Sequence, residues 1–154
     1  IGAWEHFLKR NYLTALRKIY EIMSDKGICV LHTIGSILPP QPNAPFIQRY
    51  IFPDGEIPHE SDMAKNIEKS GLIMSDRETL IRHYDKTLEA WLNRFLKNKH
   101  IVKDLFDQKF VKMWEFYLAS CSAAFKYRDL VVFQYQLVKN FDAIPSNRRD
   151  YIYS

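Results

Sequence analysis

Apolar residues recur with helical spacing in several parts of the chain. Between residues 11 and 25 they lie on one face of a helix, with Asn11 as N-cap and Gly27 as stop. These apolar positions are Tyr12, Leu16, Ile19, Tyr20 and Met23. The spacing returns from Tyr84 to Phe95 and again, in a longer segment, from Val102 to Phe125. The pattern therefore predicts three amphipathic helices.

Residues 28–34 form a short apolar run that ends at Gly35, which is typical of a fully buried strand in a parallel sheet. Residues 72–80 and 130–138 are further strand candidates, and residues 1–3 resemble the end of another strand. A helix followed by a glycine and a buried strand is half of a βαβ unit. The pattern predicts an α/β fold.

Residues 36–59 hold six of the seven prolines, a density that argues against a helix or a central strand. We expect a long ordered connection that packs on itself through Phe46, Tyr50, Ile51 and Phe52. A short polar helix is predicted from Glu60 to Lys69, before Gly71. Residues 140–154 read as a polar, frayed tail.

Composition narrows the class of protein without choosing a function. Of the 154 residues, 47% are hydrophobic and 26% charged, which is ordinary for a globular domain and argues against general disorder. The net charge of +4 permits attraction to phospholipid or nucleic acid and selects neither. Cys29 and Cys121 lie in apolar runs without a CxxC neighbour, so we expect reduced thiols and no metal site.

No apolar run approaches the ~20 residues that span a bilayer. The chain opens at Ile1 without an initiator Met, and we expect it to be a piece of a longer protein.

Three short segments carry candidate chemistry: Trp4-Glu5-His6, His32-Thr33-Ile34-Gly35 and His83-Tyr84-Asp85. Glu5 and His32 each follow or end a predicted strand, and ligands of open α/β sheets bind beyond the carboxyl ends of strands. Structural explanations stay open. Glu5 could be a carboxylate near a helix start, His32 a satisfied core histidine and Tyr84 a core residue of its helix.

Five segments, in order, resemble the cyclopropane-fatty-acyl-phospholipid synthase family. They are IGAWEHFLKRNY at 1–12, LHTIG at 31–35, YIFPDGEIP at 50–58, HYDKTLEAWLNRF at 83–95 and MWEFYLASCSAAF at 113–125. Each motif alone is weakly specific, but their order and spacing together are specific. The similarity extends from residue 1 to about residue 139.

The resemblance implies a fold for residues 1–139. They would be the C-terminal portion of a doubly wound, Rossmann-like methyltransferase sheet with a last antiparallel strand. Residues 1–3 would end the fourth strand and 28–34 form the fifth, with 72–80 and 130–139 as the last two. The connection 36–59 and the helices within 84–126 would cover the lipid side.

The resemblance also implies an activity. Members use S-adenosylmethionine to add a methylene group to the cis double bond of an acyl chain, and a bound bicarbonate acts as base. Carried over by position, the catalytic residues would be Glu5, His32 and Tyr84, and the bicarbonate ligands these three with the N–H of Ile34. The family's Gly-rich cofactor loop, acidic ribose ligand and site cysteine would precede Ile1.

Two other functions remain open from the sequence. One is a related methyltransferase that makes a methyl branch or methylates an amine, and the other is an inactive truncated remnant that only binds a partner or a membrane.

The partners implied by the first function are an unsaturated phospholipid or acyl chain and the surface of a membrane. We expect a cytoplasmic, peripherally membrane-associated protein that binds no nucleic acid, with a homodimer among the assemblies allowed. The basic face of Lys9, Arg10, Arg17 and Lys18 would meet anionic lipid. Lys97, Lys99, His100 and Lys103 read more simply as a solvated face.

Overall fold

A computed structural model describes residues 2–39, 41–144 and 146–153. One sheet contains three strands, β1 (Ile28–Ser36), β2 (Ile73–Leu80) and β3 (Leu130–Val138), in the order β1-β3-β2. β3 runs antiparallel to both neighbours, with Ile34 opposite Val132 on one side and Leu80 opposite Val132 on the other. The three strands and the antiparallel direction of the last one confirm the sequence prediction.

The described part of the chain contains six α-helices. They are α1 (Tyr12–Ile22), α2 (Pro45–Tyr50), α3 (Glu60–Ser70), α4 (His83–Lys97), α5 (Lys99–Leu105) and α6 (Gln108–Tyr127). Short 3-10 turns lie at Trp4–His6, Lys9–Asn11, Phe141–Ala143 and Arg149–Ile152. The ends of α3 follow from local chemistry: His59 accepts a hydrogen bond from the N–H of Ser61, and Gly71 takes a left-handed conformation with φ of 87°.

Two strand predictions need correction. Residues 2 and 3 form no strand and lead into a 3-10 turn, while Ile1 of the predicted stub lies outside the described residues. β1 is not fully buried, because it pairs only with β3 among the described strands and its residues alternate in exposure. Thr33 is completely buried, whereas Val30 is 61% exposed.

The proline-rich connection contains a helix, α2, which the sequence analysis excluded. Pro45 occupies its first turn, where the missing N–H costs nothing and the fixed φ suits the helix. The aromatic residues of the connection also pack beyond the segment itself. Phe46 meets Phe116 of α6 at a ring-centroid distance of 4.8 Å, and Phe52 meets Tyr117 at 6.1 Å.

The helix predicted from Val102 to Phe125 is two helices. α5 ends at Leu105 and α6 begins after Asp107, whose Oδ1 accepts a hydrogen bond from the N–H of Phe110 at 2.7 Å. An N-terminal cap of this kind starts a new helix although the apolar spacing continues.

The described tail is not frayed. Arg149 binds Asp76 of β2 through two hydrogen bonds of 2.6 and 2.8 Å. Gln136 of β3 donates to the hydroxyl of Tyr151 at 2.7 Å. Polar side chains therefore fasten this segment to the sheet.

The sheet separates two apolar cores. α1 and α3 cover one face, where the buried residues include Trp4, Tyr12, Leu16, Phe133 and Tyr135. α4 and α6 cover the other face with Leu88, Leu118, Phe125 and Val132, against which Ile34 and Tyr84 pack. The end of β1 therefore contributes Thr33 to the first face and Ile34 to the second.

The ring of Phe133 lies directly against Gly35. A Cβ at Gly35 would lie 2.3 Å from Cε2 of Phe133 and 3.2 Å from the carbonyl oxygen of Pro58. The same carbonyl accepts a hydrogen bond from the N–H of Ser36 at 3.0 Å. Gly35 thus allows the proline-rich connection, the end of β1 and the aromatic core to meet.

We expect Gly35→Ala to lower the free energy of unfolding by about 1–3 kcal/mol, because the new methyl group overpacks a fully buried ring. Denaturant unfolding would measure this change. A matched cycle with Phe133→Leu tests the cause, since the smaller side chain makes room for the methyl group. Strict additivity of the two substitutions would show that the ring does not cause the loss.

Candidate active site

The carboxylate of Glu5 is held against the end of β1. Its Oε1 accepts hydrogen bonds from the hydroxyl of Thr33 at 2.9 Å and from the N–H of Ile34 at 2.7 Å. The preceding residue, Trp4, is buried and its indole N–H points to the sulfur of Met63. Glu5 therefore takes its position from a short turn that the apolar core anchors.

The other carboxylate oxygen of Glu5, Oε2, is buried and has no hydrogen-bond partner among the residues that the structure describes. Buried polar atoms of proteins nearly always have a partner, and a carboxylate oxygen needs a donor. Oε2 is thus suited to accept a hydrogen bond from an O–H or N–H of a ligand.

Tyr84 lies in the first turn of α4, two residues after Arg82, which adopts a left-handed conformation with φ of 62°. Its ring packs against Phe125 at a centroid distance of 5.1 Å. Burial raises the pKa of the Tyr84 hydroxyl, and the negative charge of Glu5 raises it further. The hydroxyl therefore stays protonated and can donate a hydrogen bond close to Glu5.

Tyr117 and Cys121 of α6 adjoin Tyr84. Burial raises the pKa of Tyr117 to about 12, with smaller contributions from Cys121 and Tyr84. Burial also raises the pKa of the Cys121 thiol to about 11. The sequence analysis gave neither residue a place in the site, although their i, i+4 spacing puts both on one face of the helix.

His32 does not occupy the core. It is exposed, and its Nδ1 lies 3.2 Å from the side-chain nitrogen of Gln134 on β3. Alternation along β1 puts His32 on the same face as Ile34. The structure thus brings Glu5 and Ile34 into hydrogen-bond contact and places Tyr84 within electrostatic range of Glu5. His32 instead contacts Gln134.

Thr33 is a site residue that the sequence reasoning missed as such. Its side chain is completely buried, and its hydroxyl bonds to the Glu5 carboxylate. A polar β-branched residue at the end of an apolar strand was the available signal. The N–H of Ile34, expected to be a free ligand donor, already donates to Glu5.

Aromatic rings line α6 from its start toward this site. Phe110 stacks on Phe106 with a centroid distance of 4.2 Å, Trp114 follows at 5.8 Å from Phe110, and Tyr117 lies 5.1 Å from Trp114. Beside this row is a cavity of about 260 Å³, lined by Trp91, Arg94, Trp114 and Leu118. The surroundings of Tyr84 are thus apolar on the α6 side.

Within residues 2–39, 41–144 and 146–153, no three His, Cys, Asp or Glu side chains are grouped closely enough to hold a metal ion. In the same described part, no helix is long and apolar enough to cross a membrane.

Comparisons with known proteins show which family the chain resembles. The family model described as mycolic acid cyclopropane synthetase matches residues 1–135. The cyclopropane-fatty-acyl-phospholipid synthase of Escherichia coli K12 is 34% identical over 134 residues, which cover 87% of this chain and 35% of that protein.

Solved structures show the same similarity. The cyclopropane synthase MmaA2 from Mycobacterium tuberculosis superposes with a TM-score of 0.83 at 25% identity, over 89% of this chain and 53% of that one. The mycolic acid cyclopropane synthase CmaA1, complexed with SAH and CTAB, gives a TM-score of 0.81 at the same identity and coverage. The chain spans about a third to a half of the length of these relatives.

The described residues therefore have the fold of about half of a cyclopropane synthase, and their last strand is antiparallel, as expected. The match of the family model to 135 of the 154 residues is decisive. The chain belongs to the mycolic acid cyclopropane synthetase family.

Proposed function

We propose that the protein transfers a methyl group from S-adenosylmethionine to the cis double bond of an unsaturated phospholipid acyl chain, which then closes to a cyclopropane ring. The proposal is supported by the family and by the name of the Escherichia coli relative. The observation that carries it is Oε2 of Glu5, which is buried, has no hydrogen-bond partner among the described residues and lies within electrostatic range of the Tyr84 hydroxyl.

Ring closure requires that a proton leave the transferred methyl group. Bicarbonate, when bound, would supply the base for this proton. Its O–H needs an acceptor and its other oxygens need donors. Oε2 of Glu5 offers the acceptor and the Tyr84 hydroxyl a donor, so these residues fit the group. The N–H of Ile34 would be shared with Glu5, and we assign His32 to the exposed side of the site.

Residues around the reacting carbons would also have to protect a positively charged intermediate from water. Methyl transfer to a double bond leaves positive charge on the acyl chain, and water would capture it. The rings of Trp114, Tyr117 and Phe125 exclude water from the α6 side. Their faces also carry partial negative charge, which stabilises a nearby cation.

A methyl-branching reaction is the nearest alternative, since a tuberculostearic acid methyltransferase of Mycobacterium tuberculosis is 36% identical over 96 residues. Incubation of the full-length protein with labelled S-adenosylmethionine and unsaturated phospholipid vesicles tests the choice. A cyclopropane ring in the recovered acyl chains supports the proposal, whereas an acyclic methyl or methylene branch contradicts it.

We expect Glu5→Gln to lower turnover of the full-length enzyme by about 10²- to 10⁴-fold, the usual range for a disturbed proton-transfer step. Gln keeps a carbonyl oxygen for Thr33 and Ile34, so the melting temperature should change little. An amide nitrogen in place of Oε2, however, removes the acceptor. Methyl incorporation and calorimetry measure the two effects.

The matched control is Glu56→Gln, because Glu56 is another carboxylate that accepts a backbone N–H, that of Lys9 at 2.7 Å. It should leave turnover near the wild-type value. Normal turnover in Glu5→Gln would reduce Glu5 to a structural carboxylate and remove the bicarbonate assignment.

Tyr84→Phe should reduce turnover by about 10- to 100-fold, the loss of one hydrogen bond to a charged group. Tyr135→Phe is its control, since the Tyr135 hydroxyl is buried without a partner in the described part of the chain and lies in the core on the opposite face of the sheet. Equal losses in both variants would contradict a specific role for Tyr84.

His32→Ala should impair turnover while lowering the melting temperature by no more than a degree or two, since an exposed side chain contributes little to stability. Parallel turnover and thermal unfolding measurements test this. If His32→Ala unfolds much more easily but its folded fraction keeps full activity, then His32 has a structural role and no role in turnover.

A further inference from the structure

The helical hairpin of α4 and α6 has a tip that lies far from the candidate site. We define the hairpin tip as residues 94–112, which comprise the end of α4, all of α5 and the start of α6. α4 begins beside the sheet at His83 and runs for 15 residues, or about 22 Å. The tip therefore begins about 15 Å along this helix from Tyr84.

The hairpin tip holds the whole excess of positive charge in the chain. It contains six Lys or Arg residues and two Asp residues, a net charge of +4, which equals the net charge of all 154 residues. The rest of the chain is balanced. Lys99 pairs with Glu115, but Arg94, Lys97, Lys103, Lys109 and Lys112 form no ion pair in the described part of the chain.

The same tip exposes large apolar side chains. Leu105 is 72% exposed and Phe106 55%, while Ile101 is 48% exposed. Ile101 and Leu105 are four residues apart on α5 and share one face, whereas Lys99 and Lys103 share another. Apolar residues flanked by lysines on a short surface helix are typical of segments that lie in a membrane interface.

The basic face predicted on α1 does not compete with this surface. Lys9 forms an ion pair with Asp62 at 2.9 Å, and Lys18 pairs with Glu21 at 2.8 Å. These acidic partners cancel much of the charge that was expected to face anionic lipid. Two of the four basic residues of that face are thus paired, so the hairpin tip, with its five cations that form no ion pair in the described part of the chain, is the stronger candidate for a membrane-facing surface.

We propose that the hairpin tip docks the protein on an anionic lipid bilayer, with Leu105 and Phe106 inserted between headgroups and the lysines against the phosphates. The proposal rests on the proposed function only for its choice of a lipid partner. Each cation near an anionic leaflet strengthens binding about fivefold, the equivalent of about 1 kcal/mol. The long lysine side chains can reach headgroups while their stems lie beside apolar residues.

Other occupants fit the tip less well. A second copy of the chain would bring two +4 surfaces together, and like charges across an interface oppose association. Nucleic acid would match the charge, but it offers little to the aliphatic side chains of Ile101 and Leu105, which are the exposed apolar residues of α5. A bilayer surface satisfies both features.

The test is sedimentation of the full-length protein with vesicles, without methyl donor. Vesicles of phosphatidylcholine are compared with vesicles that also contain phosphatidylglycerol, at low and high salt. We expect binding to the anionic vesicles and loss of it at high salt. Lys103→Gln with Lys109→Gln should weaken binding about 25-fold, whereas Lys65→Gln with Lys69→Gln on α3 should not.

Leu105→Ser should weaken binding about tenfold, by loss of apolar burial. Ile22→Ser is the matched control, because Ile22 of α1 is 73% exposed. Turnover on acyl substrate in neutral detergent micelles should persist in the tip variants. Wild-type vesicle binding without turnover would count against the proposed function alone.

Three results would overturn the docking proposal. The first is equal binding of the wild-type protein to both vesicle types. The second is an equal loss of vesicle binding in the tip variants and the control variants. The third is that the tip variants keep vesicle binding but lose self-association or nucleic acid binding.

Discussion

One buried carboxylate joins the parts of the chain on which the candidate site depends. Oε1 of Glu5 accepts from Thr33 and Ile34, and the backbone carbonyl of Glu5 accepts the N–H of Glu56 at 2.9 Å. The turn before α1, the end of β1 and the proline-rich connection thereby meet at one residue. Because Oε1 takes both structural bonds, Oε2 remains without a hydrogen-bond partner in the described part of the chain, and on the proposed function it would be the atom that meets the ligand.

Local sequence signals predicted the strands and most helices because caps, glycines and apolar spacing act over a few residues. They failed where two signals conflicted. The helical spacing of apolar residues continues from Phe106 to Phe110, yet Asp107 between them caps a new helix and divides the segment. Burial of β1 could not be predicted from its apolar run, since exposure of Val30 depends on which elements cover that face.

The site itself required the family resemblance. Nothing in the spacing of Glu5 and Tyr84 predicts that they come within electrostatic range, because that depends on how α4 packs against β3 and α6. The buried state of Thr33 and the surroundings of Cys121 likewise come from tertiary packing. The hairpin tip is the opposite case: its charge was visible in the sequence, but the exposure of Leu105 and Phe106 was not.

On the proposed function, the raised pKa of the Cys121 thiol affects how this side chain would meet the methyl donor. With a pKa of about 11, only about one thiol in 10⁴ is ionised at pH 7. A thiolate is a far better nucleophile than a double bond and would compete with it for the methyl group of a sulfonium donor. On the proposed function, burial beside Tyr117 would therefore keep the Cys121 thiol protonated and protect the protein from methylating itself.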